Sequence, residues 1–144
     1  MATEKTASAT WEGTLAEGSG RFSLGSGVVT DQAITWSDRA EEGEGTSPEE
    51  LIAGAHASCV LMALAGGLAR AKTPPTKLES DARATFDKVG EGFGITKIHL
   101  TIRGEVEGID EDTFKQAAED ARENCPVSQA LKGNVEVTLD ASLA

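Results

Sequence analysis

Tyrosine is absent from the 144 residues, and aromatic side chains make up only 4% of them. A core built on stacked rings is therefore excluded, and Ala, Leu, Ile and Val must fill it. No cluster of Lys and Arg interrupts an acidic background of 24 carboxylates against 13 basic residues, formal net charge −11. Such a surface repels phosphate backbones and anionic lipid, so nucleic-acid and membrane-surface partners are not expected. Residues 1–11 lack the basic segment followed by an apolar run that marks a secretory signal, and a cytoplasmic location is expected. Cysteine occurs only twice. In a reducing compartment two cysteines are not expected to form a permanent bridge, which leaves inert packing or redox chemistry open. The two Cys and two His show neither C-x-x-C nor H-x₃-H spacing, so no metal site is expected. The glycines lack the strand-to-helix setting of a nucleotide loop, and no cofactor is expected.

What is present is ordinary for a soluble protein, 39% hydrophobic and 26% charged. The length fits one domain, residues 1–144, without repeat, linker or low-complexity segment. Residues 10–15 and 20–24 flank a Gly-containing turn and predict a hairpin, and residues 27–36 predict a third strand. Residues 39–47 are charged and Gly-interrupted, hence a loop. Ser47-Pro48-Glu49-Glu50 then predicts a helix start, with Ser47 as cap, Pro48 in the first position and Glu50 closing a capping box. That helix is expected to run to about Lys72, where Thr73-Pro74-Pro75 ends it. Residues 78–89 and 93–106 predict a second hairpin. Residues 110–124 predict an amphipathic helix with Ile109, Phe114, Ala117, Ala118 and Ala121 on its apolar side. A short helix over 126–132 and a strand over 135–139 follow. The order β-β-β-α-β-β-α-α-β means α+β.

The long helix carries no Asp, Glu, Lys or Arg between residues 51 and 69, a length near the roughly 20 residues of a membrane span. Its glycines, His56, Ser58 and Ala-rich composition favour instead a helix buried in a core or at a subunit interface. Cys59 lies inside it, and nothing in its own helix lowers its pKa, so activation needs a cation from elsewhere. Cys125 precedes Pro126, and if Pro126 opens the short helix then Cys125 sits at its N-cap, where the dipole favours a thiolate. Local chemistry thus ranks Cys125 as the more reactive thiol, against the alternative of a buried turn residue. Arg39, in the loop, and Glu49, in the first helical turn, are solvated or dipole-matched residues in the plain reading. A guanidinium held by a carboxylate is also a good way to fix positive charge beside a thiolate. His56, three residues before Cys59, is either a satisfied core histidine or the base of a Cys–His acyl hydrolase. His99 is expected on the strand face opposite Ile98, Leu100 and Ile102.

Two segments carry a resemblance. G-T-S-P-E-E-L-I-A-G-A-H-A-S-C, residues 45–59, and N-C-P-V-S-Q-A-L-K, residues 124–132, resemble the two cysteine motifs of the OsmC/organic hydroperoxide resistance protein family. W-E-G near the start and D-K-V-G-E-G-F-G-I-T-K-I at 87–98 are similar to its OsmC (osmotically inducible protein C) branch. The resemblance spans nearly the whole chain. It implies antiparallel sheets around a long central helix in an intertwined homodimer with active sites at the interface. It also implies reduction of organic hydroperoxides, and of hydrogen peroxide, without a metal or prosthetic group. By the same resemblance Cys59 is the peroxidatic and Cys125 the resolving cysteine, reversing the local ranking. Glu49 matches the carboxylate ten positions earlier and Arg39 the arginine of the loop. The resulting disulfide would be reduced by an external dithiol, which the resemblance suggests is of lipoyl type. A non-catalytic peroxide sensor using the same disulfide as a switch is the alternative.

Overall fold

The computed structural model describes all of residues 1–144. Residues Met1–Pro48 and Glu49–Ala144 form two compact units. In the first, β1 (Ala7–Glu12), β2 (Ser19–Leu24) and β3 (Gln32–Ile34) make an antiparallel sheet in that order. The first strand starts and ends three residues earlier than expected. Residues 13–18 are folded back as a turn, in which Gly18 N–H donates to the Thr14 carbonyl at 2.8 Å and Glu17 N–H to the Thr14 hydroxyl at 3.2 Å. Leu15 therefore belongs to the turn. The third strand is also shorter than expected. Leu24 N–H reaches the Val29 carbonyl across a tight turn, and Asp31 takes a positive φ of 53°, so extended pairing starts only at Gln32.

Trp36 and Arg39, expected in strand and loop, both lie in a short helix, α1 (Trp36–Ala40). Thr35 caps it, accepting from Asp38 N–H, and donates its hydroxyl back to the Asp38 carboxylate at 2.6 Å. The other Asp38 oxygen accepts from Gly45 N–H at 2.8 Å, which ties down the loop that follows. A side chain at Gly45 would place its Cβ 2.7 Å from that carboxylate, so the close approach requires glycine. These bonds, with that from Thr35 first, hold the Asp38 carboxyl below its usual range. The Thr-x-x-Asp spacing was the sequence signal for this helix.

The second unit opens with α2 (Pro48–Arg70), with Glu49 and Glu50 in its first turn. It is followed by a long hairpin, β4 (Lys77–Val89) and β5 (Gly92–Glu105), and then by α3 (Glu111–Asn124), α4 (Pro126–Leu131) and β6 (Glu136–Leu143). Each lies within a few residues of its expected place, except that β6 continues to Leu143. β4 pairs antiparallel with β5, and β6 adds parallel to β5 because α3 and α4 form the crossover between them. The class is α+β as expected, with α1 as the extra element.

One core holds this unit together. β5 alternates strictly, burying Ile98, Leu100 and Ile102 while His99 faces away. α2 lays Val60, Leu64 and Leu68 on the same cluster, and α3 adds Phe114, Ala118 and Ala121. The apolar face expected for α3 is the buried one. His99 lies opposite the core as expected, its Nδ1 2.7 Å from the Thr138 hydroxyl and its Nε2 3.2 Å from the Asp140 carboxylate. Phe114 lies against Gly104, where a Cβ would fall 2.5 Å from two ring carbons and 3.1 Å from Leu78. The ring is fully buried and has no room to retreat. Gly104→Ala is therefore expected to destabilise the protein by about 1–3 kcal/mol through overpacking. Combined with Phe114→Leu it should cost less than the two single changes summed, as read from urea unfolding midpoints.

Candidate redox site

α2 is uncharged from Leu51 to Ala69 and buries one stripe at helical spacing: Glu49, Ala53, His56, Val60, Leu64 and Leu68. By length and composition it could cross a membrane, with mean hydropathy 1.8. Its lower stripe is instead part of the sheet's core. Cys59 stands at the edge of that stripe, half-buried, next to Val60.

Cys125 is held by backbone geometry. It ends α3, donating its N–H to the Ala121 carbonyl at 2.9 Å, and begins α4, its carbonyl accepting from Gln129 N–H at 3.0 Å. With φ −59° and ψ 130° the chain bends between the helices, and the side chain is buried completely, at 0% exposure. Both cysteines are free thiols, Cys125 in the core cluster and Cys59 packed against it, near enough for the Cys125 thiol to act on the Cys59 pKa. The structure thus brings together two of the expected site residues that are 66 positions apart in sequence (125 − 59).

The cap expected at Cys125 is not formed. Cys125 does not cap α4 with its side chain, so it gains no help from that helix's first amides. The Val127 N–H points instead at Cys59, favouring its thiolate. Burial and the neighbouring Cys125 thiol act the other way, with burial the larger, and together they push the Cys59 pKa above its ordinary value. As read from the sequence, nothing in α2 offsets this.

His56 lies one turn before Cys59 and does not serve it as a base. Its Nε2 is 2.7 Å from the Ser128 hydroxyl, while Nδ1 is buried without a hydrogen-bond partner. The histidine is buried in the core, but only one of its ring nitrogens is satisfied, and it makes no hydrogen bond to Cys59. An orphaned buried ring nitrogen costs about 1–3 kcal/mol. Ser128 was missed at the sequence level, although Cys125 and Ser128 repeat the one-turn spacing of His56 and Cys59.

Glu49 is 5% exposed at the head of the buried stripe. It stands ten residues before Cys59, about 15 Å along the helix axis. In the first unit, Arg39 borders a small concavity of about 210 Å³ that is otherwise mostly apolar, formed by Trp11, Leu15, Ile34, Thr35, Trp36 and Pro48.

Residues 41–140 match the family model described as OsmC-like protein. The chain belongs to this family. It is 44% identical over 143 residues to Peroxiredoxin OsmC of Escherichia coli (strain K12), covering 99% of each. It is 33% identical over 98 residues to an organic hydroperoxide resistance protein of Xanthomonas axonopodis pv. citri, covering 67% of each. Among solved structures, the organic hydroperoxide resistance protein OhrB of Bacillus subtilis superposes with TM-score 0.74 at 27% identity, over 95% of this chain and 98% of that one. The fold is that of the family.

The buried histidine gives a pH prediction. Burial lowers the His56 pKa from its ordinary 6.5, so as pH falls the unfolded chain takes up this proton first. Its contribution to stability is complete above about pH 6.5 and is lost as pH falls through the lower folded value. Urea midpoints just below pH 6.5 should therefore fall more steeply for the wild type than for His56→Gln, with His99 present in both.

Proposed function

We propose that the chain is a two-cysteine, thiol-dependent peroxidase that reduces organic hydroperoxides, and hydrogen peroxide as well. The observation that carries this reading is the pair of free thiols, Cys59 and Cys125, brought together at one core cluster in a family with a 44% identical member named as a peroxiredoxin. Exposure supports the division of labour. Cys59 is half-buried, whereas Cys125 has no exposed surface and is within reach of Cys59.

In the proposed cycle the Cys59 thiolate attacks the distal peroxide oxygen. The O–O bond breaks, the alkoxide leaves and takes a proton to become the alcohol, and Cys59 becomes a sulfenic acid. Cys125 then attacks Cys59 Sγ, the S–S bond forms, and the sulfenic oxygen departs as water. An external dithiol, proposed to be of lipoyl type, restores both thiols by exchange. Because its surroundings favour the neutral thiol, Cys59 needs a cation, and Arg39 is proposed to supply it, oriented by Glu49. The apolar lining beside Arg39 favours a substrate with an organic tail.

The working unit is proposed to be a homodimer. Opposite its buried stripe, α2 exposes Leu51, Gly54, Ala55, Ser58 and Met62, the last at 76%. Ser58 spends its hydroxyl on the Gly54 and Ala55 carbonyls at 3.0 Å, so this face offers nothing charged to water. A second copy crossing antiparallel at these small residues would cover it.

Steady-state turnover of cumene hydroperoxide with excess dithiol tests the activity; consumption that stops at one equivalent would mean a sensor. Cys59→Ser should abolish peroxide reduction. Cys125→Ser should give a single turnover and a sulfenic acid at Cys59, identified by mass spectrometry after one equivalent of peroxide. The same modification on Cys125 in the wild type would reverse the roles. If Glu49 acts across the interface, mixed dimers of a Cys59→Ala chain with a Glu49→Ala chain should regain one complete site, about half the wild-type activity. Verified heterodimers without activity would place Glu49 and Cys59 of one site on the same chain.

A further inference from the structure

His56 and Ser128 are 72 residues apart in sequence and make a buried side-chain hydrogen bond of 2.7 Å. Each lies one turn from a cysteine on its own helix: His56 before Cys59 on α2, and Ser128 after Cys125 on α4. The imidazole–hydroxyl bond thus ties α4 to α2 one turn away from the place where the two thiols meet. Val127 and Leu131 pack α4 against the core without direction, and the imidazole–hydroxyl bond adds a directional tie to α2. α4 has only six residues and cannot hold a position by its own helical stability. Ser128 is its one buried residue, at 8% exposure. His56 stays at 0% exposure with Nδ1 unpartnered, so Ser128 is the polar group that its ring meets.

We propose that His56 and Ser128 are a positioning pair for the resolving step, holding Cys125 in line with Cys59 while the peroxide is being reduced and after it. This rests on the two-cysteine reading above. When Cys59 becomes a sulfenic acid, the contact between the two sulfurs changes. The His56–Ser128 bond, which contains no reacting atom, is then the polar tie still joining α4 to α2. Forming the disulfide requires a Cα separation of roughly 4.4–6.8 Å and a restricted torsion, so a small drift of α4 slows it. The pair should have no part in the first step, because neither side chain hydrogen-bonds to Cys59.

The test is a single turnover of the full-length reduced protein with one equivalent of cumene hydroperoxide. It follows peroxide loss, trappable sulfenic acid and disulfide separately. Ser128→Ala should consume peroxide at a rate within about twofold of wild type. It should convert sulfenic acid to disulfide about tenfold to 100-fold more slowly, the scale expected from a misplacement near 1 Å. Ser128→Thr, which keeps the hydroxyl, should recover most of the rate. A uniformly loosened fold would slow both steps and would not be rescued. If folded Ser128→Ala forms disulfide at the wild-type rate, the proposal is wrong. If that variant does not fold, His56→Met read in the same way decides, and if neither folds the pair serves the fold rather than the step. Failure of the two-cysteine reading looks different, since the wild type itself would then accumulate sulfenic acid without disulfide.

Discussion

Cys59 lies half-buried against a second thiol, in surroundings that favour its neutral form, yet a neutral thiol is a poor nucleophile. Most of the site follows from this conflict. Placing Cys59 beside the dry core brings it to Cys125, and the same burial raises its pKa. One backbone amide, from Val127, opposes that rise and is outweighed. Ionisation therefore depends on positive charge from outside α2, which has none between residues 51 and 69. The proposed roles of Arg39 and Glu49 answer that need.

The same helix explains why the chain carries an uncharged segment at all. One stripe of α2 meets the sheet, so it must be apolar. The opposite face carries Gly54, Ala55 and Ser58, whose small size permits close approach by another surface. Hydropathy sums both faces and cannot separate a membrane span from a helix with two protein contacts. The distinction lies in how the residues are distributed around the axis. Val60, Leu64 and Leu68 fall on one line with Ile98, Leu100 and Ile102.

The second unit was largely legible in the sequence because its signals are strong and local. The Ser-Pro-Glu-Glu start, the strict alternation of β5 and the 3.6-residue spacing of Phe114, Ala118 and Ala121 each determine an element without outside help. The first unit was less legible. Its strand limits depend on the turn hydrogen bonds at Thr14 and on the positive φ of Asp31, which composition does not reveal. The helix bearing Arg39 was hidden for a related reason. Five residues are too few to show a period, and the Thr35–Asp38 cap is the only local sign of it. The pairing of β6 with β5 was hidden too, since strand direction is set by the length of the crossover rather than by the strand itself.

The two thiols show how local reasoning can find the right feature and assign it to the wrong residue. Pro126 does open a helix, and the first turn of that helix does direct an N–H at a sulfur. The sulfur belongs to Cys59; Cys125 buries its own side chain in the core and makes no cap hydrogen bond. A cap residue benefits from its helix only when its side chain folds back over the N-terminus, and sequence cannot show whether it does. Once Cys125 points inward, its burial and its neighbour matter more than its place in the helix. It has no exposed surface and a thiol partner across the gap. A sulfur so placed is badly situated to meet a peroxide from solvent and well situated to meet an oxidised Cys59. On this ground burial, rather than nominal acidity, supports the proposed roles of attacking and resolving thiol.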